Sequence, residues 1–168
     1  MKGEQAAPPS KAPPSVVVIE LFGGLLPATL ALHQLDISAI TYFSEVANDP
    51  LEVATAHWPE AVPLGDTRQL SKQRIQEIVT LHPDALFWLT GGIPCENMST
   101  LNLFRPASED TNTSLYMLVA DILAFLSSIA RKVAFAFETT RMDEADRNAL
   151  SIAFGIQPVM FGALWISF

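Results

Sequence analysis

The chain has one cysteine, Cys95, in 168 residues, which excludes an internal disulfide framework and any metal site built from several thiolates. Its three histidines, His33, His57 and His82, show no paired metal-ligand spacing and read as surface or helix-end residues, so no metal site is expected. Basic residues are also scarce. Lys and Arg number 10 against 18 Asp and Glu, a formal net charge of -8, which is not the balance of a basic nucleic-acid clamp. No apolar run approaches the ~18 to 20 residues of a membrane span, and the start has no signal-peptide core. A soluble, intracellular domain without membrane contact is therefore expected. Hydrophobic residues make up 49% and charged residues 17%, enough for a sizeable core and too apolar for a disordered chain.

Met1 to Ser15 carries Pro8, Pro9, Pro13 and Pro14 and reads as a disordered, extended tail. Residues 16–168 read as one domain. Val16–Phe22, Ile40–Val46, Val62–Leu64, Ala85–Leu89 and Val133–Phe137 have the β-branched and apolar composition of buried strands. Between them lie helical stretches: Leu25–Leu35 with Pro27 in its first turn, Asn48 to about His57, and a helix capped by Ser71. Ser114–Ala130 and Asp143–Phe154 are also helical, a long polar loop reaches Thr113, and Val159–Phe168 reads as a closing strand. Strands alternating with helices predict a mostly parallel, Rossmann-like α/β sheet with helices on both faces.

In such a sheet ligands bind beyond the carboxyl ends of the strands. Gly23-Gly24, Glu45, Asp66, Cys95 and Glu138 all fall at that edge. Gly23-Gly24 permits either a plain tight turn or close approach of a ligand to the backbone. Leu25-Leu26-Pro27 does not complete G-x-G-x-x-G, so no pyrophosphate cradle is expected and a nucleoside-like ligand fits better. Glu45 stands where an acid accepts ribose hydroxyls, and Asp66 where one accepts an exocyclic amine. Each is equally readable as a solvated loop carboxylate, and Asp66 as a cap for the turn before Gln69. Cys95 is either an inert apolar residue or a thiol presented at a strand-to-loop break. Glu138 leaves the apolar strand Phe135-Ala136-Phe137, as a plain strand-end charge or as a partly buried acid poised to donate a proton. Trp58, Trp88 and Trp165 read as core or cleft-edge packing.

Together these stretches resemble the cytosine-C5 DNA methyltransferases. Glu20-Leu21-Phe22-Gly23-Gly24 is similar to that family's D-L-F-x-G segment, Ser44-Glu45-Val46 to its ribose-binding strand, and Gly65-Asp66-Thr67-Arg68 to its adenine-binding turn. Gly91-Gly92-Ile93-Pro94-Cys95-Glu96-Asn97 resembles the G-G-x-P-C nucleophile loop, and Phe137-Glu138-Thr139-Thr140 the F-E-N-V segment. The P-C-x-N wording is closest to the de novo and domains-rearranged branch.

The resemblance implies a class I methyltransferase sheet binding S-adenosylmethionine through Phe22, Gly23, Gly24, Glu45, Val46, Asp66, Thr67, Pro94 and Leu115. It implies Cys95 as nucleophile toward C6 of an extruded cytosine and Glu138 as the acid at N3, with DNA as partner and a nuclear location if the source is eukaryotic. Four departures stand out. Glu20 replaces Asp, Leu25-Leu26-Pro27 replaces the end of the glycine turn, and Thr139 replaces Asn. The chain also reads as truncated before the family's Arg-x-Arg strand, target-recognition region and final segment. It is therefore expected to bind DNA weakly alone, and to need a missing C-terminal segment or a partner subunit. The alternatives are a catalytically inactive interaction or regulatory module on the same fold and, ranked below it, an RNA cytosine-C5 methyltransferase.

Overall fold

The computed structural model describes residues 16–94, 111–139 and 144–159. Cys95, the tail, the polar loop, Thr140, Trp165 and nearly all of the expected closing strand lie outside the described residues.

The run of Val and Ile at 16–19 favours extended backbone, since β-branched side chains pack well on a pleated surface. It forms β1 (Val16–Leu21), with every residue after Val16 buried. The rest follow in order: α1 (Pro27–Gln34), β2 (Ala39–Ser44), α2 (Asn48–His57), β3 (Val62–Gly65), a 3-10 turn (Thr67–Gln69) and α3 (Lys72–Leu81). After these come β4 (Leu86–Gly92), α4 (Thr111–Ile129), β5 (Val133–Glu138) and α5 (Glu144–Phe154). Pro27 opens α1, where a missing amide costs nothing, and the Ser71 hydroxyl accepts from the Arg74 amide at 3.1 Å to cap α3.

The five strands are parallel in the order β3-β2-β1-β4-β5. A central parallel strand is covered on both faces, which is why β1 is a continuous apolar run rather than an alternating one. Val17, Ile19 and Leu21 face one core with Phe87 and Leu89 of β4, Ile75 and Ile78 of α3, and Tyr116, Val119 and Leu126 of α4. Val18 faces the opposite layer with Ala28 and Leu32 of α1, while Phe43 packs with Leu26 and Ala54. Each such apolar side chain contributes roughly 1.5–3 kcal/mol when fully buried. At the far side β5 alternates between half-buried Val133, Phe135 and Phe137 and exposed Ala134, Ala136 and Glu138. Among the described residues no helix is long and apolar enough to cross a membrane.

Element boundaries shift at the strand ends. Phe22 leaves β1 because its backbone turns to φ 52°, and Glu45 and Val46 lie just beyond β2 rather than inside it. Conversely, β4 runs through Gly91-Gly92, which pair with Leu21 of β1 and with Phe137 and Glu138 of β5. The expected loop ends earlier, since α4 starts at Thr111.

Candidate functional site

Strand order reverses between β1 and β4, so the crevice of this doubly wound sheet opens at their carboxyl ends. Along that edge stand Asp66, Glu45, Gly24, Pro94 and Glu138, after or at the ends of β3, β2, β1, β4 and β5. Adjacent strands are ~4.8 Å apart, so the β3-to-β1 arm is about 10 Å wide, the length of a nucleoside.

The turn between β1 and α1 is tightly wound. Phe22, Gly24 and Leu26 all have positive φ (52°, 53° and 59°), the left-handed region that side chains disfavour. Buried Leu26, wedged against Phe43, Ala54 and Ala61, compensates for its strained backbone with packing. The Gly23 amide donates to the Ser44 carbonyl at 2.8 Å, and the Leu26 amide to the Gly23 carbonyl at 2.8 Å.

Glu45 ties this turn to β2. Its Oε2 accepts from the Gly24 amide at 2.9 Å, and its Oε1 from the Val46 and Ala47 amides at 2.7 and 2.8 Å. A carboxylate has about four acceptor positions. Three are used, which leaves room for one hydroxyl of a ligand. Beside it the Val46 side chain is 61% exposed, an apolar surface offered to the edge.

Asp66 caps the 3-10 turn, as one of the two readings of the sequence expected. Its Oδ1 accepts from the Arg68 amide at 2.9 Å and from Arg68 Nε at 3.1 Å, and Arg68 lies 2.9 Å from Oδ2. The Arg68 hydrogen bonds hold the Asp66 carboxyl below its usual value. Thr67 is 1% exposed and its hydroxyl lies 2.7 Å from that of Ser44, which also donates to the Gly65 carbonyl at 2.5 Å. The Thr67 side chain is thus turned into the β2–β3 junction, leaving its backbone as what it can offer a ligand. Phe22 and Leu115 are half-buried against the main core, and Pro94 is exposed at the end of β4.

On the other arm, an added Cβ at Gly92 would sit 3.4 Å from Glu138 Oε2, so the Glu138 carboxylate leans over the end of β4. Glu138 is exposed, which corrects the expectation of partial burial: β5 has no neighbour on its outer side among the described residues. The following Thr139 hydroxyl is hydrogen-bonded to Tyr116 of α4 at 2.5 Å. Gly91 has a different reason to be glycine: a Cβ there would lie 1.9 Å from the Leu21 carbonyl oxygen.

Sequence reasoning missed what Glu20 does. It is 1% exposed within β1, and its Oε1 accepts from the Ala28 amide at 3.0 Å. Its Oε2 accepts from the Thr29 hydroxyl at 3.1 Å and faces the Thr29 amide at 3.4 Å. Burial pushes its carboxyl above the usual value, partly offset by those donors. A lone acid in Val-Val-Val-Ile-Glu-Leu was the available signal, because a buried carboxylate requires partners.

No protein-family model and no curated protein matches the chain. Solved structures do. One is a protein described as a DNA modification methyltransferase encoded within a prophage (E. coli), with TM-score 0.60 and 21% identity, over 84% of this chain and 37% of the other. A second is a triple mutant of Spodoptera frugiperda DNMT2, with TM-score 0.60 and 18% identity, over 84% and 41%. The chain shares the fold of these two proteins. The chain spans less than half the length of these two structures. Within this shared fold, Gly24, Glu45 and Asp66 fall on one arm of the crevice and Pro94 and Glu138 on the other.

Proposed function

We propose that the chain is a methyltransferase-like domain that binds S-adenosylmethionine and directs its methyl group to C5 of cytosine in DNA. The observation that carries this reading is the divided sheet edge. Glu45 and Asp66 stand on the β2 and β3 ends with Val46 exposed between them, while Glu138 leans over the end of β4, three residues before Cys95. The first arm suits an adenosyl group, with Glu45 accepting a ribose hydroxyl, Val46 and Phe22 against the adenine, and Asp66 and Thr67 at the base edge. Gly23-Gly24, Pro94 and Leu115 border the methionine end. When bound, that cofactor supplies an electrophilic methyl group.

In this reading the Cys95 thiolate adds to C6 of an extruded cytosine while Glu138, on the second arm, protonates N3, so the negative charge that would build in the ring is neutralised. The methyl group that the cofactor would supply would go to C5, and loss of the C5 proton would release the Cys95 thiolate.

The net charge of -8 favours a second reading, an inactive interaction or regulatory module, because phosphate contacts dominate DNA affinity. Titration calorimetry with S-adenosylhomocysteine on the wild type, Glu45→Ala and Asp66→Ala separates the two. Heat in the wild type that is lost in the variants supports the adenosyl site, and none in any of the three supports the module. Trapping on 5-fluorocytosine DNA tests the thiol, and an adduct that persists in Cys95→Ser refutes its role.

A further inference from the structure

In many doubly wound folds the first helix receives a ligand phosphate on its free N-terminal amides. Those of α1 can be accounted for one by one. Pro27 has none, those of Ala28 and Thr29 point to Glu20, and that of Leu30 donates to the Leu26 carbonyl at 3.0 Å. In the turn before it, the Gly24 amide is taken by Glu45. Two carboxylates, from β1 and just beyond β2, thus occupy the donors that elsewhere hold a phosphate. Glu20 cannot be displaced cheaply, since it is 1% exposed and its second oxygen is held by Thr29, whose hydroxyl lies 3.0 Å from that of Thr41. A phosphate brought here would lose its water without gaining amides, and would lie against negative charge.

We infer that Glu20 is a specificity-determining residue that closes this site to phosphate-bearing nucleotides and leaves it open to adenosyl ligands whose second half carries no net negative charge. This rests on the adenosyl site proposed above and names what that site rejects. The truncation Glu20→Ala vacates a space on the order of one phosphoryl group beside the freed Ala28 and Thr29 amides.

The test is calorimetric titration of adenosine, ADP and inorganic pyrophosphate into wild type and Glu20→Ala, with circular dichroism to verify folding. The wild type is expected to bind ADP no tighter than adenosine. Glu20→Ala should raise the ADP-to-adenosine affinity ratio about tenfold or more and bind pyrophosphate in a salt-sensitive way. Wild-type binding of ADP well above adenosine overturns the inference, as does a folded Glu20→Ala with no gain for either phosphate ligand. If that variant does not fold, Glu20→Gln, which keeps one carbonyl acceptor and removes the charge, should raise the ratio severalfold, and an unchanged ratio overturns the inference. Pyrophosphate reads the helix end without any adenosyl site. A failure to bind S-adenosylhomocysteine therefore sinks the functional reading while this measurement still decides the role of Glu20.

Discussion

Gly91 and Gly92 are neighbours in β4, yet alanine should cost far more at the first than at the second. A Cβ on Gly91 would meet the Leu21 carbonyl oxygen at 1.9 Å and the carbonyl carbon at 2.9 Å. That oxygen belongs to the backbone of the central strand and cannot swing aside, so β1 and β4 would have to part by at least about 1 Å. Parting them stretches the end of the Leu21–Gly91 pairing, at about 1 kcal/mol per hydrogen bond weakened, and adds overpacking of roughly 1–3 kcal/mol. Gly91→Ala should therefore lose about 3 kcal/mol, more than half the stability of a marginal domain. At Gly92 the same methyl group meets only Glu138 Oε2 at 3.4 Å, the mobile end of an exposed side chain, and the cost should stay under about 1 kcal/mol. Urea unfolding followed by circular dichroism measures both. With a slope near 2 kcal/mol per molar, the Gly91→Ala midpoint should fall by about 1.5 M and that of Gly92→Ala by less than about 0.5 M. Equal midpoints for the two variants would refute the claim that Gly91, with its backbone contact and its φ of 155°, requires glycine where Gly92 does not.

Burial raises the Glu20 carboxyl above its ordinary value of 4.5, so the native chain holds that proton more tightly than the unfolded chain does. The resulting stabilisation is complete below pH 4.5 and is lost as pH rises through the native value. The unfolding free energy of wild type relative to Glu20→Gln should fall with rising pH in urea titrations, and a rise would contradict the assignment. Tyr116→Phe removes the hydroxyl bonded to Thr139 and should cost about 1 kcal/mol in the same assay, more if the Thr139 hydroxyl stays buried without a partner. Glu45→Ala releases the Gly24 amide and removes the ribose acceptor, so S-adenosylhomocysteine affinity should drop at least about tenfold by calorimetry. An unchanged affinity would take Glu45 out of the pocket.

The alternation of strand and helix was legible because each element carries its own local cause. β-branched runs mark β1 and β2, the hydroxyl of Ser71 starts α3, and a proline fits only the first turn of α1. The ends of strands were less legible because their cause is not local. β4 extends through two glycines, poor strand formers, because it has a partner on each side: Gly91 pairs with Leu21 and Phe137, and Gly92 with Glu138. Phe22 and Glu45 lie beyond their strands because the chain must turn there to bring Gly23 and Gly24 to Ser44 and Glu45.

The same distinction explains which candidate residues sequence reasoning could locate. Glu45 and Asp66 follow strands at positions where the sheet edge is the only place for a carboxylate, so their location was readable while their partners were not. Asp66 had both a ligand role and a capping role open to it. Arg68 settles on it, and the capping geometry presents the same carboxylate at the edge, beside a guanidinium that is itself 65% exposed and that a ligand amine would have to displace. Capping and ligand binding are therefore not rival readings of Asp66. Glu20 shows the reverse case. Its position inside an apolar run was an unread sign that it must be partnered, and only the path of the chain through three positive-φ residues returns the Ala28 and Thr29 amides to it. The turn and the buried carboxylate thus require each other: without the tight winding Glu20 would be an unpaired buried acid, and without Glu20 the start of α1 would be left with two unsatisfied amides.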